Sequence, residues 1–346
     1  MTANLDPRDI SRRTLLRGTA IGAAGSGLGL LATPKRAVAA QEEDRALPPA
    51  DPNETYVMVT FLSGIEFWVP ARRGMEEAAA LFGVSASYQG TPEYDAQAEA
   101  TVLDQVIATN PAGLIVTAQN PEALAPSIDR AIDQGIALVM FDSDSPMSKR
   151  PSIVAVDNRA GGASAARFIG EAAGGSGSVA IITKPGQFNL DQRQAGFEET
   201  LAAEFPEMTI AGVSDALGFA DRESQAGGAF IQANPDLVGM FSTGSTGVYN
   251  AVPAVKEAGK LDQLTLVSFD IDQALVEGIQ SGDIDATVVQ GAYNMGFWAM
   301  IQSYMLKHGL DRPVADYEAA GISPLPPYTD AGVFLATSEN IEYFAG

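Results

Sequence analysis

The sequence predicts an α/β protein of two doubly wound lobes, each with a parallel sheet covered by helices on both faces. Three observations carry this. Short apolar runs alternate along the chain with stretches of 3.6-residue periodicity, the pattern of a strand followed by a helix. Most of the runs are apolar throughout, as strands buried on both faces are. Roughly ten such strands are more than one compact sheet of this type usually holds, and two lobes accommodate them. The chain has 346 residues, 46% of them apolar, enough for two cores.

Taken in order, the apolar runs are residues 56–62, 112–116, 137–141, 178–182, 208–213, 238–242, 264–269 and 284–289. A weaker run, 84–88, alternates apolar and polar residues, as a half-buried strand does. Helical periodicity covers 69–82, where Met75, Ala78, Ala79 and Phe82 share a face, and 94–109, where Ala98, Val102, Val106 and Ile107 do. It recurs over 161–173, 191–204, 221–233, 246–258, 272–280 and 294–307. The stops are the residues that end helices: Gly83, Asn110-Pro111, Gly135, Gly174-Gly175, Pro206, Gly259 and Gly309.

The first 39 residues read as an export signal. Ser11-Arg12-Arg13-Thr14-Leu15-Leu16 is a twin-arginine box, residues 18–32 are apolar but too short to span a membrane, and Ala37-Val38-Ala39 is a cleavage motif. The expected cut lies between Ala39 and Ala40, and residues 40–54 read as a flexible leader. The mature chain is expected in the periplasm, exported by the twin-arginine route, without insertion into the membrane.

Composition excludes several functions. The formal charge is −22, from 21 basic and 43 acidic residues, and such a surface repels nucleic acid. With no cysteine there is no thiolate catalysis, disulfide or Cys-ligated metal. His308, the single histidine, is followed by Gly309 and reads as a cation near a helix C-terminus, not a catalytic base. No Ca-loop spacing and no His cluster appears, so neither a metal nor a cofactor is expected. Gly244-Ser245-Thr246-Gly247 lacks the lysine of a phosphate loop and reads as an ordinary strand-to-helix turn.

In doubly wound sheets ligands bind beyond the carboxyl ends of the strands, so the residues after each apolar run are the informative ones. They are residues 63–68, with Phe67-Trp68; Thr117 to Asn120; Asp142-Ser143-Asp144; residues 184–189, ending in Asn189; Thr243-Gly244-Ser245; Asp270-Ile271-Asp272; and Gln290. This set holds no nucleophile with a base, no metal cage and no phosphate cradle. Carboxylates and amides serve hydroxyls, which both donate and accept, and aromatic rings serve the C–H faces of a sugar. The set therefore points to a small, neutral, polyhydroxylated ligand. Other readings of the same residues are core packing for Phe67-Trp68, turn chemistry for Asp142, a surface ion pair for Arg193 and a helix cap for Asp270.

From Tyr56 to its end the chain resembles the periplasmic sugar-binding proteins of the ribose-binding class, which deliver substrate to ABC importers. The marks are Phe67-Trp68, Asp142, Val156-Asp157-Asn158 followed by Gly161-Gly162, Arg193 before Gly196-Phe197, Phe269-Asp270, and Ala286-Thr287-Val288-Val289-Gln290. The resemblance implies two Rossmann-like lobes joined by a three-crossover hinge, closing on the ligand. It places 55–156 plus 291–324 in the N-lobe and 157–290 plus 325–346 in the C-lobe, with crossovers at Asp157-Asn158, Gln290-Gly291 and residues 325–328. It implies that Phe67 and Trp68 sandwich the sugar, that Asp142 and Asp270 accept from hydroxyls, that Arg193 is a bidentate donor, and that Gln290 bonds the ligand beside a hinge. Ser143 and Asn189, at strand ends, complete the expected ligand-binding set.

The sequence also departs from the ribose pattern. Ser143 stands where ribose binders have arginine, Gly244 where they have asparagine, and Ile65-Glu66 where they have Asn-Pro. Losing an arginine removes a fork of donors. The expected ligand is thus another sugar, a polyol or a cyclitol. The expected partner is an ABC permease in the inner membrane, and the expected state is a monomer without enzymatic activity. The alternatives are a sugar-sensing subunit that docks on a receptor, and a periplasmic glycosidase using paired carboxylates such as Asp142 and Asp270.

Overall fold

The computed structural model describes residues 51–310 and 317–344. The twin-arginine box, the apolar stretch, the cleavage motif and leader residues 40–50 lie outside the described residues.

Two six-stranded sheets form the framework. The first contains β1 (Thr55–Thr60), β2 (Ser85–Gly90), β3 (Gly113–Val116), β4 (Ala137–Phe141), β5 (Ile153–Ala155) and β11 (Tyr328–Asp330), in the order β11-β5-β4-β3-β1-β2, all parallel. The second contains β6 (Ser176–Thr183), β7 (Glu207–Asp215), β8 (Leu237–Ser242), β9 (Thr265–Phe269), β10 (Ala286–Gln290) and β12 (Val333–Thr337), in the order β12-β10-β9-β8-β6-β7. Only β12 runs antiparallel to its neighbour. Each sheet reverses its strand order beside its first strand, β1 or β6, the switch point at which such sheets open a crevice.

The connecting helices are α1 (Trp68–Phe82), α2 (Ala96–Ala108), α3 (Pro121–Asp133), α4 (Asn158–Ala172), α5 (Phe188–Glu204), α6 (Ala220–Ala233), α7 (Thr246–Glu257), α8 (Gln273–Ser281), α9 (Ala292–His308) and the short α10 (Tyr317–Ala320). Alternate side chains of a strand face opposite layers. Tyr56 and Met58 pack with Met75 of α1 and Met295 of α9, whereas Val57 and Val59 pack with Leu103 of α2 and Leu124 and Ile128 of α3. Both faces of the sheet are thus covered, which is why its strands read as continuous apolar runs. Strand β2, the alternating run, is an edge with half-exposed residues.

Sequence periodicity passed over α3, although its signals are present. Asn120 caps it by accepting from Ala123 N, Pro121 opens it, and Leu124, Ile128 and Ala131 form its buried face. It also passed over β5, β11 and β12, which are only three to five residues long.

The chain passes between the sheets three times. The first two passages follow β5, before Asp157-Asn158, and β10, at Gly291. The third corrects an expectation. Tyr328–Asp330 pairs with Ile153–Ala155 in the first sheet, and Val333–Thr337 pairs with β10 in the second. The chain therefore changes sheets at Ala331-Gly332, not at residues 325–328. Gly332 has φ +89° there, and its carbonyl accepts from Gly291 N, tying two of the passages together.

Candidate ligand-binding site

Between the carboxyl ends of the two sets of strands lies a cavity of about 750 Å³. The two lobes supply it with different chemistry. Phe61, Phe67, Trp68 and Tyr94 come from the first lobe, with the carboxyls of Glu66 and Asp142; Asn189, Arg193, Asp270 and Gln290 come from the second.

Asp142 and Asp270 occupy equivalent positions in the two lobes. Each directly follows a strand, β4 or β9, and each takes a left-handed backbone conformation, φ +59° and +72°. Aspartate tolerates that region better than most residues. Each backbone N–H donates to the adjacent strand, Asp142 to Val154 O at 3.1 Å and Asp270 to Val288 O at 2.8 Å. Pinned this way, both carboxyls line the cavity. Asp142 also accepts from Thr117 Oγ1 at 3.2 Å, and Asp270 accepts from Gln290 Nε2.

Arg193, on the second turn of α5, is 2% exposed. Its Nε donates to Asn158 Oδ1 and one terminal nitrogen donates to Thr243 O, both at 2.8 Å. The guanidinium carbon sits 3.8 Å from the centre of the Phe269 ring, and a terminal nitrogen lies 3.9 Å from Asp270. Glycines permit this placement. A Cβ on Gly162 of α4 would lie 2.0 Å from Arg193 O, and one on Gly196 of α5 would lie 2.1 Å from Arg159 O. Gly162 and Gly196 thus mark the contact of α4 with α5 that seats Asn158 against Arg193, while Gly161 makes room for the Phe269 ring beneath the guanidinium.

The remaining Arg193 terminal nitrogen and Gln290 Oε1 are buried with no hydrogen-bond partner in the protein. Buried polar groups are normally satisfied, so a donor and an acceptor left over on one cavity wall suit a ligand that carries both functions. Burial pushes the Asp142 carboxyl up to about 7, with Arg193 opposing and Asp270 adding to the rise. Burial raises Asp270 too, again opposed by Arg193.

The expected set is brought together with two adjustments. Phe67 is half-buried at the cavity wall, but Trp68 is 1% exposed, with its indole N–H donating to Phe61 O at 2.9 Å and its ring edge-to-face with Phe61 and Phe141. The indole is primarily core that backs Phe67. Ser143 is fully buried and absent from the cavity wall; its N–H donates to Thr117 Oγ1, so it braces the strand end behind Asp142. Its Oγ is buried with no hydrogen-bond partner in the protein. Asn189 lines the cavity, as expected, with Nδ2 near both Asp142 oxygens.

Sequence reading missed Tyr94, which lines the cavity from the loop before α2, and Glu223 of α6. It took Asn158 for a crossover mark, although it also holds Arg193. Only tertiary folding joins these residues to the site. His308 lies at the end of α9, 3.0 Å from Glu54 and outside the cavity wall. Among the described residues no group of His, Asp and Glu could hold a metal ion, and no helix is long and apolar enough to cross a membrane.

Comparison with known proteins bears on this arrangement. Residues 56–310 match the family described as periplasmic binding protein domain. The chain is 24% identical over 241 residues to the D-ribose/D-allose-binding protein of Pseudomonas aeruginosa, covering 68% of this chain and 74% of that protein. It is 26% identical over 254 residues to the D-allose-binding periplasmic protein of Escherichia coli, covering 70% and 80%. A sugar-binding protein of a sugar ABC transporter from Bacillus halodurans superposes with a TM-score of 0.77 at 37% identity, over 84% of this chain and 100% of that one. AraP, an arabinose-binding protein from Geobacillus stearothermophilus, gives 0.75 at 37%, over 85% and 100%. A match that runs through both sheets, joined to superposition over the full length of solved relatives, assigns the family: the chain belongs to the periplasmic binding protein domain family.

Proposed function

We propose that the mature chain captures a small neutral sugar, polyol or cyclitol in the periplasm and hands it to an ABC permease in the inner membrane. The observation that carries this reading is the pair of unpartnered buried groups, Arg193 Nη2 and Gln290 Oε1, on a wall that also holds Asp142 and Asp270. Hydroxyls satisfy all four. Phe67 supplies the flat apolar surface that a sugar ring's C–H face covers. Of the eight residues first expected to bind, seven remain in this assignment: Phe67, Trp68, Asp142, Asn189, Arg193, Asp270 and Gln290.

The relatives named above support transport. The same comparisons lend nothing to the glycosidase or sensor-subunit readings, and the function needs no reaction step, cofactor or metal. The protein acts as a monomer, reaching the periplasm through the Arg12-Arg13 signal. Changing both arginines to lysine should leave unprocessed precursor in the cytoplasm.

A thermal-shift screen of pentoses, hexoses, polyols and cyclitols tests the binding function. A ligand at about 100 times its dissociation constant stabilises the protein by about 2.7 kcal/mol, a shift of a few degrees. A panel in which nothing shifts the melting temperature would refute the reading.

A further inference from the structure

The cavity is larger than the ligand its anchor residues hold. At about 750 Å³ it lies in the upper part of the range of about 300–1,000 Å³ for sites that hold drug-sized ligands, whereas a pentose or hexose has only about ten to twelve non-hydrogen atoms.

The extra room lies along the second lobe's helices. The wall includes Thr246 and Asn250 of α7, and Gln273 and Glu277 of α8. Each pair is four residues apart, about 6 Å along a helix axis at 1.5 Å per residue. From the strand ends the lining thus runs a full helical turn back along α7 and α8, about the width of one more sugar ring.

This outer wall is built, not incidental. Glu223 of α6 is fully buried and holds it in shape. One carboxylate oxygen accepts from Gly218 N at 2.9 Å and Thr246 Oγ1 at 2.6 Å, and the other accepts from Asn250 Nδ2 at 2.6 Å. With its N–H group committed to Glu223, Asn250 offers its carbonyl oxygen to a ligand, and Thr246 offers its lone pairs. Gln273 and Glu277, joined at 2.8 Å, face the cavity from α8. Leu217 and Ile271 add apolar surface. Charge fixes the ligand class further. The whole wall carries Glu66, Asp142, Glu223, Asp270, Asp272 and Glu277 against the single base Arg193, which disfavours phosphorylated and acidic sugars.

We infer that the ligand is a neutral disaccharide, one unit held by Asp142, Arg193, Asp270 and Gln290 and the second in the outer chamber of Thr246, Asn250, Gln273 and Glu277. The inference rests on the sugar-binding reading above and narrows it. Calorimetric titration with matched pairs tests it: L-arabinose and 1,5-α-arabinobiose, D-xylose and xylobiose, D-glucose and cellobiose, D-galactose and 1,4-β-galactobiose. In at least one pair the disaccharide is expected to bind tenfold or more tighter than its monosaccharide. Ala220→Trp, at the exposed start of α6 on the same wall, is expected to erase that advantage. Monosaccharide binding with equal or weaker disaccharide binding in every pair overturns the outer chamber and leaves the sugar-binding reading intact. Binding of no sugar in the panel overturns the disaccharide inference, and the thermal-shift screen with polyols and cyclitols then decides the binding function separately.

Discussion

Asn189 of the second lobe donates its side-chain amide to both carboxylate oxygens of Asp142 in the first, at 3.3 and 3.4 Å. Both distances are at the long end of the hydrogen-bond range. Asn189 is fixed from its own side, its Oδ1 accepting from Gln187 Nε2 at 2.7 Å and Leu190 N at 3.0 Å. The contact therefore closes the lobes on each other loosely. A ligand hydroxyl donating to Asp142 is a stronger partner than this stretched amide, and closure gains from contacts made only in the shut state.

Asp142 should make stability depend on pH. Its carboxyl titrates at about 7 in the folded protein, against an ordinary value of 3.8. The folded protein holds a proton that the unfolded chain releases, so this group's stabilisation is fully present below about pH 4 and is lost as pH rises through about 7. Glu99, buried nearby and also raised, acts in the same direction. Ligand-free wild type should lose melting temperature between pH 5.5 and 8. Asp142→Asn should lose distinctly less over the same interval. Identical slopes would remove Asp142 as the titrating group.

Gly162→Ala should damage the site from behind. The added Cβ would meet Arg193 O at 2.0 Å and push α4 off α5, moving Asn158 away from the guanidinium it holds. Overpacking of this kind costs about 1–3 kcal/mol. Urea denaturation should show that loss, and sugar affinity should fall with it. Gly228→Ala is the control: its Cβ would meet only Ala254 Cβ, at 3.8 Å, and a helical Gly-to-Ala change is neutral or stabilising.

The two neighbouring aromatics should separate binding from folding. Trp68→Ala empties a core position and should cost about 3–5 kcal/mol of stability. Phe67→Ala removes a half-buried ring from the cavity wall and should weaken sugar binding about tenfold, near 1.4 kcal/mol, with little effect on the melting temperature. Equal loss of stability in both would place Phe67 in the core as well.

The lobes were legible because a parallel sheet covered on both faces writes itself as continuous apolar runs. Strand β5, three residues long, carries too little pattern to register, and β12 pairs with β10 across 42 intervening residues. The acids at strand ends were legible because topology sends those positions to the crevice. Trp68 shows what position alone leaves out: it reaches the cavity wall, but most of its ring fills space between Phe61 and Phe141. Glu223 was invisible because its work is to bind Thr246 and Asn250, more than 20 residues along the chain.

The central claim is that one ligand is held from both lobes at once, by Asp142 on one side and Arg193 on the other. Calorimetry with the sugar that gives the largest thermal shift, on wild type, Asp142→Asn and Arg193→Ala, tests it most directly. Arg193→Ala also strips partners from Asn158 and Thr243, so its titration is run well below its lowered melting temperature. Each variant is predicted to bind about tenfold to a thousandfold more weakly, roughly 1.4 to 4 kcal/mol. Wild-type affinity in both variants would contradict the account.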